Sequence, residues 1–180
     1  ALHRVVTNSP KLAGFVDVES PVTIVDGTSD ASALFVGTKT GKVFAVSHTG
    51  TNKRELFDIG RPVDYLAATD NGQIVVASGS LKDDYRRVSS VSKMWRDGTV
   101  TDIPQRAVAL SPSGNTVAVR SDQEIMDEAV SIWANGVLVK QVPSRTSWIT
   151  LPDDDTVVGL DDYGRVERTS IGTGRVEESR

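Results

Sequence analysis

Four short apolar runs begin near Val22, Val63, Val108 and Trp148, spaced 41, 45 and 40 residues apart. No other property of the chain restricts its fold so tightly. Each run opens a unit that reads strand, turn, strand, turn, strand, glycine-containing turn, strand. A unit of that length cannot bury its own apolar face, so consecutive units must stack on one another.

The first strands are Val22-Thr-Ile-Val25, Val63-Asp-Tyr-Leu66, Ala107-Val-Ala-Leu110 and Trp148-Ile-Thr-Leu151. The second strands are Ala33-Leu-Phe-Val36, Ile74-Val-Val-Ala77, Thr116-Val-Ala-Val119 and Thr156-Val-Val158. Their continuous apolar runs suit strands covered on both faces. Asp70-Asn71-Gly72, Ser111-Pro-Ser-Gly-Asn115 and Pro152-Asp-Asp-Asp155 carry tight-turn chemistry between them. Gly and Asn accept positive φ there, while Asp and Ser bond nearby amides. A later turn recurs at His48-Thr-Gly50, Arg96-Asp-Gly98, Ala134-Asn-Gly136 and Gly172-Thr-Gly174. Aligned on those glycines, Trp95 and Trp133 are equivalent, with Ser47 and Ile171 in their place in units one and four.

The expected fold is therefore all-β, a β-propeller of four-stranded antiparallel blades with the first strands innermost. The blades are bounded at 21–61, 62–105, 106–144 and 145–180. Residues 1–20 read as the outer hairpin of an incomplete blade, from Arg4-Val-Val-Thr7 and Leu12-Ala-Gly-Phe-Val-Asp-Val18. That makes about four and a half blades in this chain. An open arc leaves blade faces and edges bare. Either the chain closes as a small five-bladed ring with one thin blade, or missing residues or another chain complete the ring; we favour the second. A β-sandwich also accommodates short regular strands, but the internal period opposes it. The start at Ala1 without Met fits a processed protein or a piece of a longer one.

At several of these residues the chain resembles known propeller families. Ala107-Val-Ala-Leu-Ser-Pro-Ser-Gly-Asn-Thr-Val-Ala-Val119 is similar to the core phrase of WD40-like and TolB-type repeats. Val130-Ser-Ile-Trp-Ala-Asn-Gly136 is similar to the WD40 third strand, and Gly37-Thr-Lys-Thr-Gly-Lys-Val-Phe-Ala-Val46 resembles a blade of the PQQ-dehydrogenase type. The likeness covers about 160 residues. It implies the fold and transfers no functional residue.

Composition narrows the function by exclusion. The net charge is −4, and the densest basic cluster, Lys82 with Arg86 and Arg87, already contains Asp83 and Asp84. Nucleic-acid binding, which needs clustered cations, is not expected. The absence of cysteine removes disulfides, thiolate metal sites and cysteine nucleophiles. No apolar stretch approaches the roughly 18–20 residues of a membrane span, so a soluble protein is expected, in a compartment left open. His3 and His48 fall in a terminal segment and a turn, without a His-x-x-x-His pair or a Gly-x-Ser-x-Gly elbow. Asp153-Asp154-Asp155 lacks the alternating oxygens of a calcium loop and reads as a solvated turn. Asp161-Asp162-Tyr163-Gly164 reads as a hairpin turn. No catalytic residue, metal or cofactor is expected.

Recognition is placed on the loops that break the repeat. The connection between second and third strands is brief in units one and four. It expands to Ser80-Leu-Lys-Asp-Asp-Tyr-Arg-Arg87 in unit two and Ser121-Asp-Gln-Glu-Ile-Met-Asp-Glu128 in unit three. Loops 80–88 and 121–129 share one face of the expected propeller, so Lys82, Asp83, Asp84, Tyr85, Arg86 and Arg87 stand beside the second loop. There Ser121 and Glu124 have capping-box spacing for a helical turn. Such a turn groups Ile125 and Met126 among Asp122, Glu124, Asp127 and Glu128. That is either an acidic-rimmed apolar knob for a partner, or Ile125 and Met126 folded onto the blade edge. In the second case the acids pair with Lys82, Arg86 and Arg87 for about 0–1 kcal/mol each. Trp95 and Trp133 are expected in packing between blades, and Tyr65 and Trp148 at the mouth of a central channel. The leading expectation is a non-catalytic scaffold for a protein partner. The alternatives are a domain that gates or binds substrate for a hydrolase or oxidoreductase whose catalytic part lies outside this chain, and a carbohydrate-binding or adhesive domain.

Overall fold

In the computed structural model each sequence unit forms its own four-stranded antiparallel sheet, with its strands hydrogen-bonded in chain order. The structure describes residues 16–47, 49–50, 52–82, 88–120, 129–143, 148–161 and 163–179. Sheet 1 contains β1 (Val22–Gly27), β2 (Ala33–Thr38), β3 (Lys42–Ser47) and β4 (Lys53–Asp58). Sheet 2 contains β5 (Tyr65–Ala68), β6 (Ile74–Lys82), β7 (Val88–Arg96) and β8 (Thr99–Ile103). Sheet 3 contains β9 (Arg106–Leu110), β10 (Thr116–Arg120), β11 (Ala129–Ala134) and β12 (Val137–Pro143). Sheet 4 contains β13 (Trp148–Thr150), β14 (Thr156–Leu160), β15 (Val166–Ser170) and β16 (Val176–Ser179). The described chain is all-β, an arrangement consistent with propeller-like blades. None of it forms a helix long and apolar enough to cross a membrane.

A hydroxyl residue shapes the first turn of three sheets. The amides of Thr28, Thr69 and Ser111 donate to the carbonyls of Ala33, Ile74 and Thr116 at 3.1, 2.9 and 2.9 Å. Their side-chain oxygens accept the return amides of the same three residues, each at 3.1 Å. Each turn thus satisfies its own backbone polar groups without a partner sheet. In sheet 4 the place belongs to buried Leu151, and Asp153 accepts the amide of Asp155 at 2.9 Å instead. The expected strand at Val63 begins two residues later, at Tyr65. Val63 is 1% exposed and its amide is engaged by the carbonyl of Thr38 in sheet 1, so it plugs the joint rather than pairing within its own sheet.

Apolar side chains on facing sheets form the core, one layer per joint. Phe35, Val43 and Phe57 of sheet 1 meet Leu66, Val75 and Ala77 of sheet 2. Val76 meets Ala107, Val117 and Val119 across the next joint, and Ala118, Val130 and Ile132 meet Val157 and Ile171 across the last. On the outer side of sheet 1, Val36, Phe44 and Val46 are covered by Val18. The contacts thus run serially through β1, β5, β9 and β13, and among the described residues no packing of that extent joins β13 to β1.

Polar links reinforce two of the joints. Ser92 Oγ donates to Ser78 Oγ at 2.9 Å, Ser78 Oγ to the Ala107 carbonyl at 2.9 Å, and the Ala107 amide to Ser92 Oγ at 3.0 Å. Both serines are fully buried and each is satisfied. Between sheets 3 and 4, Asp154 is more than the solvated turn residue expected of it. Its carboxylate accepts from Ser111 at 2.6 Å, from Ser113 at 2.7 and 2.8 Å and from Asn115 at 3.4 Å. The Ser111 hydroxyl bond, then that of Ser113, holds its pKa below the ordinary aspartate value, against a smaller opposing effect of burial. The folded carboxylate therefore binds its proton less tightly than the unfolded one. Its contribution is complete above about pH 4 and is lost as pH falls through the depressed value. Asp154→Ala is expected to cost about 1 kcal/mol at pH 7, discounted for its exposure. Urea midpoints at pH 7 and pH 3 test this: the gap between wild type and variant should narrow at the lower pH.

Candidate functional site

Antiparallel strands in chain order put the first and third turns of every sheet at one end and the second at the other. The first turns of neighbouring sheets lie side by side, as Gly72 against Thr28 and Phe35 and Asp154 against Ser111 show. The strand ends that flank the connections singled out in the sequence, those of β6 and β7 and of β10 and β11, therefore share the opposite end. The β6–β7 hairpin runs nine residues on each strand, whereas β2, β3, β10, β11, β14 and β15 run five or six. Lys82 closes β6 and pairs along the backbone with Val88. Asp83, Asp84, Tyr85, Arg86 and Arg87 lie outside the described residues, as do Asp122, Glu124, Ile125, Met126, Asp127 and Glu128, together with His3 and His48.

The aromatic candidates fall in different settings. Tyr65 packs against the cluster of Val76, Ala107, Val117 and Val119. Burial, then the charge of Asp26, pushes its phenol pKa well above the usual tyrosine value, against a hydrogen bond with the Leu110 backbone. Trp148 pairs with Leu160 across β13 and β14 and is 73% exposed. The equivalence of Trp95 and Trp133 holds in the register, where they pair with Val75 and Val117, corresponding positions after the hydroxyl turns. In sheets 1 and 4 the same place is taken by Val46 and Thr169, opposite Leu34 and Val157, rather than by Ser47 and Ile171. Turn length explains the offset. Residues 97–98 alone join Arg96 to Thr99, whereas the pair beyond Val46 spans to Lys53 and the one beyond Thr169 to Val176.

Trp95 and Trp133 differ in what covers them. Arg54 of β4 lies over the Trp95 ring, its guanidinium carbon 5.3 Å from the centroid. Trp133 instead borders a groove of about 650 Å³ between sheets 2 and 3. Met94, Ile103, Pro104 and Val117 give it an apolar floor, and Arg96, Asp97, Asp102, Asn115 and Asn135 give it a polar mouth. Arg96 donates through Nη2 to the Gly114 carbonyl at 3.1 Å. The Trp133 indole nitrogen is buried with no hydrogen-bond partner among the described residues. This groove escaped the sequence reading because its walls come from strands and turns of two units. The signal that marks it is the repeat register carried across β4, β8 and β12.

No family model matches the chain, and no curated protein matches it. Among solved structures it is similar to the computationally designed Ika4 protein, with a TM-score of 0.64 and 20% identity over 91% of this chain and 99% of that one. At that identity the likeness concerns the fold alone.

Proposed function

We propose that the chain is a non-catalytic β-propeller module that scaffolds a protein partner through the end bearing loops 80–88 and 121–129. The propeller reading is supported by the recurrent hydroxyl turn, the strand order within each sheet and the serial apolar joints. The observation that carries the function is the β6–β7 hairpin, whose strands are longer than the corresponding strand pairs and extend past their ends. An extended strand pair leading into a charged connection is the kind of place where recognition residues are carried. The strands that flank the unit-three connection, β10 and β11, belong to the neighbouring sheet and meet it at the same end.

The chain has no cysteine, so a single introduced thiol can carry a photo-crosslinker to one site. Tyr85→Cys and Ile125→Cys are expected to capture the same partner. Asn52→Cys, in an exposed turn at the opposite end of sheet 1, is expected to capture none. Deleting residues 122–128 should abolish capture while leaving the far-ultraviolet spectrum unchanged. Equal capture from position 52, or full capture after the deletion, would place the partner elsewhere.

A further inference from the structure

We propose that the groove between sheets 2 and 3 receives an arginine side chain of a partner, with its guanidinium on the indole face of Trp133. This does not rest on the scaffold reading, which concerns the opposite end of the sheets. The repeat provides the template. Across sheet 1 the ladder facing sheet 2 is Phe35, Ala45, Arg54; across sheet 2 it is Val76, Met94, Thr101; across sheet 3 it is Ala118, Ile132, Lys140. The third place holds a cation at two of these joints. Arg54 covers the Trp95 ring, and Lys140 Nζ donates to the carbonyls of Ser170 and Ile171 at 3.5 and 3.1 Å. At the joint between them the place is Thr101, too short to cross, and the groove opens there.

What the joint lacks defines what fits it. The outer strand of sheet 2 leaves an indole without the guanidinium that its counterpart carries. A planar, weakly hydrated cation over tryptophan is the favoured partner for that face. The apolar floor of Met94, Ile103 and Val117 suits the methylene stem of an arginine. Among the charged residues lining the groove, the carboxylates Asp97 and Asp102 outnumber the one cation, Arg96, which already bonds the Gly114 carbonyl. An incoming cation is therefore favoured by the balance of charge at the mouth.

The test uses the peptide N-acetyl-Gly-Arg-Gly-amide and its citrulline counterpart, which keeps the shape and removes the charge. The readout is the indole N–H resonance of Trp133, assigned through Trp133→Phe. Wild type should show a saturable shift with the arginine peptide and binding weaker by about fivefold or more with citrulline. Thr101→Arg fills the groove from within and should abolish the response. Should that variant fail to fold, Asp97→Asn serves in its place. Asp97 sits in an exposed turn at φ 47°, a conformation asparagine accepts, and the change should weaken binding about threefold. Equal binding of citrulline, unchanged binding by Thr101→Arg or Asp97→Asn, or a response at Trp95 or Trp148 without one at Trp133 would overturn the assignment.

Discussion

Gly41→Ala is expected to lower stability by about 4 kcal/mol, with a melting temperature reduced on the order of 10 °C. Gly41 lies in the turn between β2 and β3 with φ at +105°, outside the range an L side chain adopts without strain. A Cβ there would meet the Arg61 nitrogen at 2.6 Å, the Arg61 oxygen at 2.7 Å and the Gly60 nitrogen at 2.8 Å. All three are backbone atoms of the segment leading into sheet 2, so no side-chain rotation relieves the overlap. The segment is also tied down, because the Ile59 amide donates to the Gly41 carbonyl at 3.0 Å. Gly60→Ala is the control: its φ is +69° but a Cβ meets none of the described residues within 4 Å. That change should cost only the conformational part, about 1–2 kcal/mol. Thermal melts of both variants read the steric part as their difference, and equal losses would show that the close approach to Arg61 is not the cause.

Ile132→Ala is expected to cost about 3–5 kcal/mol. Ile132 is fully buried and packs among Ala118, Val130, Val142, Leu151 and Val157 at the joint between sheets 3 and 4. Four of these neighbours, all but Leu151, sit on paired strands that hold them out of the space it leaves. Ile132→Val keeps most of the volume and should cost about 1 kcal/mol. Chemical denaturation measures the totals, and hydrogen exchange locates them. Faster exchange should appear first in β14 and β15, while β2 and β3 keep wild-type protection. A uniform loss of protection would mean that the sheets open as one unit.

The sheets were legible in the sequence because their signals are local. The valine-rich second strands, the Asn-Gly and Ser-Gly turns and the glycine turns before each fourth strand all act within a few residues of themselves. Val63 was misplaced by two residues because its amide is taken by Thr38 of another sheet, a tertiary demand that no local pattern records. Aligning the tryptophans on glycine missed by one place in unit one and by two in unit four, since turn length varies while strand register does not. Asp154 looked like a surface turn because its partners Ser111, Ser113 and Asn115 lie about 40 residues away in the chain. The groove was hidden for a related reason. Its decisive residue, Thr101, is unremarkable until it is set beside Arg54 and Lys140 in the paired strands.

Among the described residues each sheet is built from consecutive strands of the chain, with none borrowed from elsewhere. During synthesis, therefore, no strand has to wait for the far end of the polypeptide before it can pair. The four strands of sheet 1 can all pair with one another once residue 58 has emerged, and each later sheet meets a preformed surface on which to settle. Loop closures stay short and the search for partners stays local, so assembly can keep pace with translation, one sheet at a time.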